Sequence, residues 1–176
     1  MSRAEAIVDS RGGSPAGADK KIVKSNLIGI QRRSGAASGR WLKKSRGTVW
    51  PDEAMKLGLS PGSPVYRFHR ICYVDDAPIA IEYTTLSTEY IPSFESVEVS
   101  IDGALERAGS RPARALQRLK AVLLEEDQAK LLRGHVGEAG LLVERLSFLR
   151  DGRAVAFSRS LYRGDSYDFV AELTTA

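Results

Sequence analysis

Residues 70–86, "RICYVDDAPIAIEYTTL", contain two runs of strand-forming residues on either side of an acidic turn. Val, Ile, Tyr and Thr favour strands, and Asp favours turns, so the stretch predicts a β-hairpin around Asp75 and Asp76. A loose echo, "RLSFLRDGRAVAFSRSL" at residues 145–161, carries a strong hairpin turn signal at residues 151–152. One chain therefore contains the same predicted hairpin twice.

A shift of 75 residues aligns residues 52–86 with residues 127–161 without a gap, and the identical pairs include Arg70 with Arg145. Both segments show the same order of short helix, Gly turn, strand, acidic turn and strand. A helix with one hairpin is too small to bury its own apolar face, so we expect the two units to share one sheet and one core. This predicts an α+β fold, a mostly antiparallel sheet with helices on one face and an internal helix–hairpin repeat.

Three short helices are predicted from their end signals. The first begins at Pro51, the second is capped by Ser100 and runs to about residue 108, and the third lies in "EEDQAKLLRG", residues 125–134. The segment "RPARALQRLKAVLL", residues 111–124, fits both a helix and one face of a strand, and we interpret it as a strand. A last strand is predicted at residues 167–173.

Composition limits the kind of site that the chain can build. Its 176 residues, 43% of them hydrophobic, suffice for one domain with a core. The single cysteine, Cys72, excludes an intramolecular disulfide, and two histidines leave little to bind a metal, so we expect no metal and no cofactor. No apolar run approaches the roughly 20 residues of a membrane helix, so we expect a cytoplasmic protein without membrane contact.

The positive charge is concentrated at the N-terminus. Residues 1–46 hold 11 Lys and Arg against three Asp and Glu, whereas the remaining residues hold 15 against 19. Residues 1–22 are rich in Gly, Ser and Ala and are predicted to be disordered, because they cannot bury enough apolar surface to fold. We therefore divide the chain into a basic, largely disordered tail, 1–46, and a folded domain, 47–176. A solvated tail and one that contacts nucleic acid transiently both fit this charge.

The segments "SPGSPVYRFHRICYVDDAPIAIEYTTL" and "GEAGLLVERLSFLRDGRAVAFSRSLYRGDSYDFVAEL" together resemble the UTRA domain, the effector-binding module of GntR-type transcription regulators of the HutC branch. The resemblance covers roughly residues 47–174 and implies the chorismate lyase fold, an antiparallel sheet with a two-fold repeat. It also implies a small anionic effector, a homodimer and no catalytic residues. An enzyme on the chorismate lyase fold is the alternative, since a fold does not decide function.

Four candidate ligand-binding residues follow from this resemblance. In members that bind phosphorylated sugars, an Arg-x-Arg pair on the first strand of the hairpin and a Glu on the second line the site, with a Ser at the start of the central helix. Arg70, Glu82 and Ser100 match these positions, and Tyr162 matches the Tyr of a "YRGD"-like segment near the C-terminus. The implied site therefore joins residues from distant parts of the chain.

Two positions depart from the sugar-phosphate pattern. Cys72 stands where such members have the second Arg, and Ala156 stands where they have a Glu. The resemblance therefore implies a less polar pocket, and an effector with an anionic group and a substantial apolar part.

Residues alone allow a plainer interpretation of Arg70 and Glu82, namely a cross-strand ion pair worth well under about 1 kcal/mol. Both interpretations need the two side chains on one face of the sheet. Because side chains alternate along a strand, this requires a hairpin loop with an odd number of residues, three or five, with a bulge and a positive φ at Asp76. His69 is then expected on the opposite face.

Residues 26–42, "NLIGIQRRSGAASGRWL", faintly resemble the wing that ends the DNA-binding domain of such regulators. The preceding residues show no pattern of a recognition helix. Segment 1–46 is thus either a disordered tail or a degenerate wing remnant, and we expect DNA binding only through a missing or separate winged helix.

Overall fold

The computed structural model describes residues 24–26, 29–31 and 37–166. Its centre is a six-stranded antiparallel sheet with the order β3-β4-β5-β8-β7-β6, and β1 and β2 pair separately. The elements are β1 Lys24–Asn26, β2 Gly29–Gln31, β3 Ala37–Thr48, α1 Pro51–Leu57, β4 Pro64–Val74, β5 Ala77–Ser87, α2 Ile101–Arg107, β6 Arg114–Leu123, α3 Glu126–Leu132, β7 Ala139–Phe148 and β8 Ala154–Arg163. The predicted α+β class, the three helices and the strand within residues 111–124 are confirmed.

The predicted repeat is present in the structure. A shift of 75 residues carries α1 onto the exact bounds of α3, and carries β4 and β5 onto β7 and β8 within two residues at each end. The turn glycines Gly62 and Gly137 have the same φ of 82°. The two units meet along the β5–β8 pair, so their apolar faces share one sheet, as expected for units too small to fold alone.

The β4–β5 hairpin has a shorter loop than predicted. Only Asp75 and Asp76 separate the strands, with φ of 48° and 60°, the positive values that a two-residue hairpin turn requires. The register shifts at Ile79, which has no partner in β4. A two-residue loop alone would put Arg70 and Glu82 on opposite faces of the sheet. The extra residue of this bulge shifts the register by one and places Arg70 opposite Glu82, on the same face. The odd loop length was therefore wrong, whereas the bulge, the positive φ at Asp76 and the register are confirmed.

The sheet begins earlier than expected. Strand β3 pairs with β4 along its length, so the predicted boundary at residue 47 lies inside a strand of the sheet. Among the described residues, β3 is the edge strand of this sheet and carries several Lys and Arg, a common device that keeps edge strands from pairing with other chains. Because of these basic residues, the composition of β3 resembles that of the predicted disordered tail. Most of the predicted tail, and the strand predicted at residues 167–173, lie outside the described residues.

The helices lie on both faces of the sheet rather than on one. On one face, here the α2 face, Leu105 of α2 packs with Phe68 and Leu86. On the other, the α1/α3 face, Leu132 of α3 packs with Ile81. The repeat explains the difference, because α1 and α3 occupy equivalent positions, whereas α2 connects the two units and belongs to neither.

A buried carboxylate ties α1 to the sheet. Glu53 is 4% exposed, and its oxygens accept hydrogen bonds from Arg67 Nη2 at 2.7 Å and Thr85 Oγ1 at 2.6 Å. The backbone N–H of Trp50 also donates to Glu53, at 2.9 Å, and caps the helix. Burial by itself would raise the pKa of Glu53, but these hydrogen bonds outweigh it and lower that pKa.

None of the helices in the described ranges is long and apolar enough to cross a membrane. The same part of the chain contains no group of three His, Cys, Asp or Glu side chains placed to hold a metal ion.

Candidate ligand-binding site

A cavity of about 620 Å³ lies on the α2 face, between the central strands and the start of α2. All four residues predicted from the sequence line it: Arg70 from β4, Glu82 from β5, Ser100 before α2 and Tyr162 from β8. The antiparallel order β4-β5-β8 places three of these strands side by side, and the loop after β5 brings Ser100 above them. The structure therefore brings the predicted residues together at one cavity.

Arg70 and Glu82 form the charged wall of this cavity. Arg70 Nη2 donates to Glu82 Oε2 at 3.0 Å, and Thr84 Oγ1 donates to the other carboxylate oxygen at 3.2 Å. Burial by itself would lower the pKa of the Arg70 guanidinium, but the Glu82 carboxylate outweighs it and raises that pKa. Arg70 therefore remains a cation in the cavity wall.

Two nitrogen atoms of the Arg70 guanidinium lack a good hydrogen-bond acceptor among the described residues. Its Nη1 makes only a long contact of 3.5 Å to the Val99 carbonyl oxygen. Its Nε is buried and has no hydrogen-bond partner among the described residues. A buried donor without an acceptor costs about 1–3 kcal/mol and calls for an explanation, such as a ligand that accepts from this group when bound.

Ser100 and Tyr162 have mainly structural contacts in this state. Ser100 caps α2, because its Oγ accepts from the backbone N–H of Gly103 at 3.1 Å. Its hydroxyl hydrogen remains available to an acceptor on a ligand. Tyr162 is 2% exposed and packs with Ala80 and Val143, so it supplies part of the cavity wall.

Cys72 and Ala156, the two departures from the sugar-phosphate pattern, line the same cavity. Burial raises the pKa of the Cys72 thiol to about 11, with a further contribution from Glu82 and an opposing one from Arg70. The thiol therefore stays protonated at neutral pH and contributes a small apolar surface.

This thiol is expected to react slowly with alkylating reagents. At pH 7.5 a pKa near 11 instead of 9 leaves about 100-fold less thiolate, so native Cys72 should react with iodoacetamide at least about 100-fold more slowly than free cysteine. Mass spectrometry of the intact protein over time measures the rate, and the same protein in guanidinium chloride provides the control. Native labelling at the rate of the unfolded chain would contradict the described environment.

Three further charged residues line the cavity and were not among the candidates: Arg145, Asp102 and Glu98, the last of which is exposed in the loop before α2. Arg145 on β7 is the repeat equivalent of Arg70, and its Nε and Nη2 donate to Gln117 Oε1 at 3.1 and 2.7 Å. Asp102 lies in the first turn of α2, at the cavity mouth. The identity of Arg70 and Arg145 in the aligned repeat could have indicated the first; nothing in the sequence distinguishes Asp102 from any acid near a helix start.

A second cavity, of about 730 Å³, lies on the α1/α3 face. His69 lines it, as the alternation along β4 predicts, and stacks on Tyr83 with ring centroids 4.0 Å apart. Burial lowers the pKa of His69. None of the four candidate residues reaches this cavity, so the sheet separates it from the site on the α2 face.

Comparison with known proteins gives a consistent family assignment. The profile of the UTRA domain matches residues 32–168. The HTH-type transcriptional repressor NagR of Bacillus subtilis is 32% identical over 117 residues, which cover 65% of this chain and 48% of the repressor. The HTH-type transcriptional repressor PhnF of Mycolicibacterium smegmatis is 28% identical over 174 residues, which cover 93% of this chain and 70% of that one. The alignment thus spans about half of NagR.

Solved structures agree with this assignment. The crystal structure of the effector domain of PhnF from Mycobacterium smegmatis superposes with a TM-score of 0.75 at 26% identity, covering 80% of this chain and 88% of that chain. The possible transcriptional regulator YydK from Bacillus subtilis has a TM-score of 0.79 at 18% identity, covering 92% of this chain and 71% of that chain, and supports the fold alone. The resemblance seen in the sequence is confirmed, and the chain belongs to the UTRA domain family.

Proposed function

We propose that this domain binds a small effector with an acidic group in the cavity on the α2 face, as the sensing and dimerising part of a HutC-type GntR transcription regulator. The observation that carries the proposal is the convergence of Arg70, Glu82, Ser100 and Tyr162, from four separate elements, on one cavity. Membership of the UTRA family and the repressor names of NagR and PhnF agree with this role.

Arg70 is the anchor for the acidic group. A guanidinium donates two parallel hydrogen bonds to a carboxylate or phosphate, and a partly desolvated site strengthens them. Glu82 holds the guanidinium in place at 3.0 Å, or accepts from a hydroxyl of the effector. Ser100 adds a hydroxyl donor from the opposite wall.

The remaining walls favour an effector with an apolar part. Ile79, Leu105 and Val143 line the cavity together with Cys72 and Ala156. Pockets of this kind bind the apolar body of a ligand by burial and orient it through a few polar groups. A plain sugar phosphate would leave these walls without a matching surface.

Effector binding would regulate DNA binding by shifting the population of the conformations of a homodimer. DNA contact would come from a winged helix outside the residues that the structure describes, or from a separate chain. We also propose that the protein is cytoplasmic, because it belongs to the same family as these transcription regulators. Light scattering of the purified protein tests the homodimer, since a monomer mass would contradict it.

The alternative, an enzyme on this fold, finds little support at the cavity. Neither His69 nor His135 lines it, and Cys72 stays protonated at neutral pH. Arg70 and Glu82 pair with each other, which is suited to holding a ligand rather than to moving a proton.

Ligand-induced thermal stabilisation tests the proposal. The purified protein is heated with each member of a library of carboxylic acids, phosphate esters and matched neutral amides. At a concentration 100 times its Kd, a ligand adds about 2.7 kcal/mol, which should raise Tm by at least about 5 °C. We expect acids with an apolar part to give the shift and their amides to give none. Equal shifts from acids and neutral amides would contradict an anion site.

A further inference from the structure

Two basic side chains, Arg70 and Arg145, and three acidic ones, Glu82, Glu98 and Asp102, line the proposed effector cavity. The acids outnumber the bases, and Glu82 already pairs with Arg70 at 3.0 Å. A multiply charged anion, such as a phosphate ester, is bound best where positive charge is in excess. The charge of this cavity therefore indicates a different class of ligand.

Asp102 is exposed at the mouth of the cavity, and its carboxylate, unlike that of Glu82, makes no hydrogen bond or ion pair in the part of the chain that the structure describes. The surrounding protein limits its solvation and raises its pKa; Arg145 and Arg70 oppose this, whereas Glu82 adds to it. A carboxylate at the mouth of a cavity that no side chain of the described residues engages can pair with a cationic or hydrogen-bond-donating group on a ligand.

We infer that the effector is an amino acid or a close analogue, with its acidic group on Arg70 and its protonated nitrogen on Asp102. This inference rests on the proposed function and names the class of effector. Hydroxyl groups of Thr84, Ser158 and Ser160 line the same cavity and can contact the polar part of the ligand, whereas the apolar walls accept its side chain. The two ends of such a ligand match the two signs of charge in the cavity.

Asp102 could instead have only a structural role, the stabilisation of α2. An acid in the first turn of a helix stabilises it by about 0.3–1 kcal/mol through the helix dipole. In that role, its replacement would lower stability and would weaken all ligands alike. An effect that depends on the charge of the ligand distinguishes a binding role from this structural one.

The test compares each of the twenty common amino acids with the acid that lacks its amino group and with the amine that lacks its carboxyl group. Thermal shift selects the best set, and calorimetry measures the three affinities. For the wild-type protein, we expect the amino acid to bind at least tenfold more tightly than the deaminated acid, because only the amino acid pairs with Asp102. In Asp102→Asn, we expect this ratio to fall to about one, because the amino acid loses its partner and the acid loses a repulsive charge.

Glu106→Gln is the matched control. Glu106 lies on the same helix and pairs with Arg111 at 2.8 Å, but both side chains are exposed and Glu106 does not line the cavity. This variant should keep the wild-type ratio. Unfolding measurements on both variants separate a loss of stability from a loss of binding.

The outcomes separate the inference from the proposed function. If a deaminated acid binds as tightly as its amino acid, or if only acids without a nitrogen bind, the inference is wrong and the proposed anion site stands. An unchanged ratio in Asp102→Asn returns Asp102 to its role in α2. If no acid of any kind binds, the inference and the proposed function both fail.

Discussion

Replacing Arg70 with Ala is expected to weaken effector binding by about 2–4 kcal/mol, a loss of 30-fold to nearly 1,000-fold in affinity. The acidic group of the effector would enter a partly desolvated cavity without its charged partner. Calorimetric titration measures the change, with the acid that gives the largest thermal shift as the ligand. The same affinity in a folded variant would reduce Arg70 to a cross-strand ion pair with Glu82.

This substitution also removes the partner of a carboxylate that is 8% exposed, so the variant can lose stability. The double variant Arg70→Ala with Glu82→Gln removes both charges and avoids an unpaired buried carboxylate. Arg70→Lys keeps the charge and loses the planar fork, so it should also bind weakly. Arg67→Lys is the matched control, because Arg67 lies on the same strand but lines the cavity on the other face of the sheet.

Glu53→Gln is expected to destabilise the fold by about 3 kcal/mol, because removal of one partner from a buried ion pair leaves the other uncompensated. The pair joins Arg67 Nη2 to Glu53 Oε2 at 2.7 Å, with 20% and 6% of the two side chains exposed. A glutamine preserves the helix cap, as Gln128 does at the equivalent position of α3. Denaturant unfolding near pH 7 measures the change in the free energy of unfolding. A loss below about 1 kcal/mol would contradict the importance of the pair.

The same variant tests the origin of this stability through its pH dependence. The folded pKa of Glu53 lies below its ordinary value of 4.5, so its contribution is complete above that pH and is lost as the pH falls through the folded pKa. The difference between wild type and Glu53→Gln should therefore shrink on acidification. Glu106→Gln, which breaks an exposed pair, should change stability by less than about 0.5 kcal/mol at any of these pH values. A constant difference for Glu53→Gln would indicate lost packing rather than lost charge.

The repeat made most of the sheet predictable from the sequence. Strand alternation, turn residues and helix ends recur at a spacing of 75 residues, and the structure follows this spacing from α1 to β5 and from α3 to β8. The register of Arg70 and Glu82 was also predictable, because two side chains share a face only if the number of loop and bulge residues between their strands is odd. The means by which the hairpin reaches that register was not, because a turn with a bulge and a longer loop give the same parity.

Strand β3 shows where local patterns mislead. Within the described ranges it pairs on one side only, and it carries basic residues, so its composition resembles that of a solvated tail. The repeat contains the missing information: residues 37–48, shifted by 75, fall on residues 112–123, which include β6. Extending the alignment by one strand would have predicted β3. Asp102 could not be found in this way, because α2 lies between the repeated units and has no equivalent.

An experimental structure of the protein with its best-binding acid would locate the effector site. We predict the ligand in the cavity on the α2 face, with its acidic group within hydrogen-bond distance of the Arg70 guanidinium. A ligand bound in the cavity on the α1/α3 face, beside His69 and Tyr83, or one whose acidic group lies away from Arg70, would contradict this prediction.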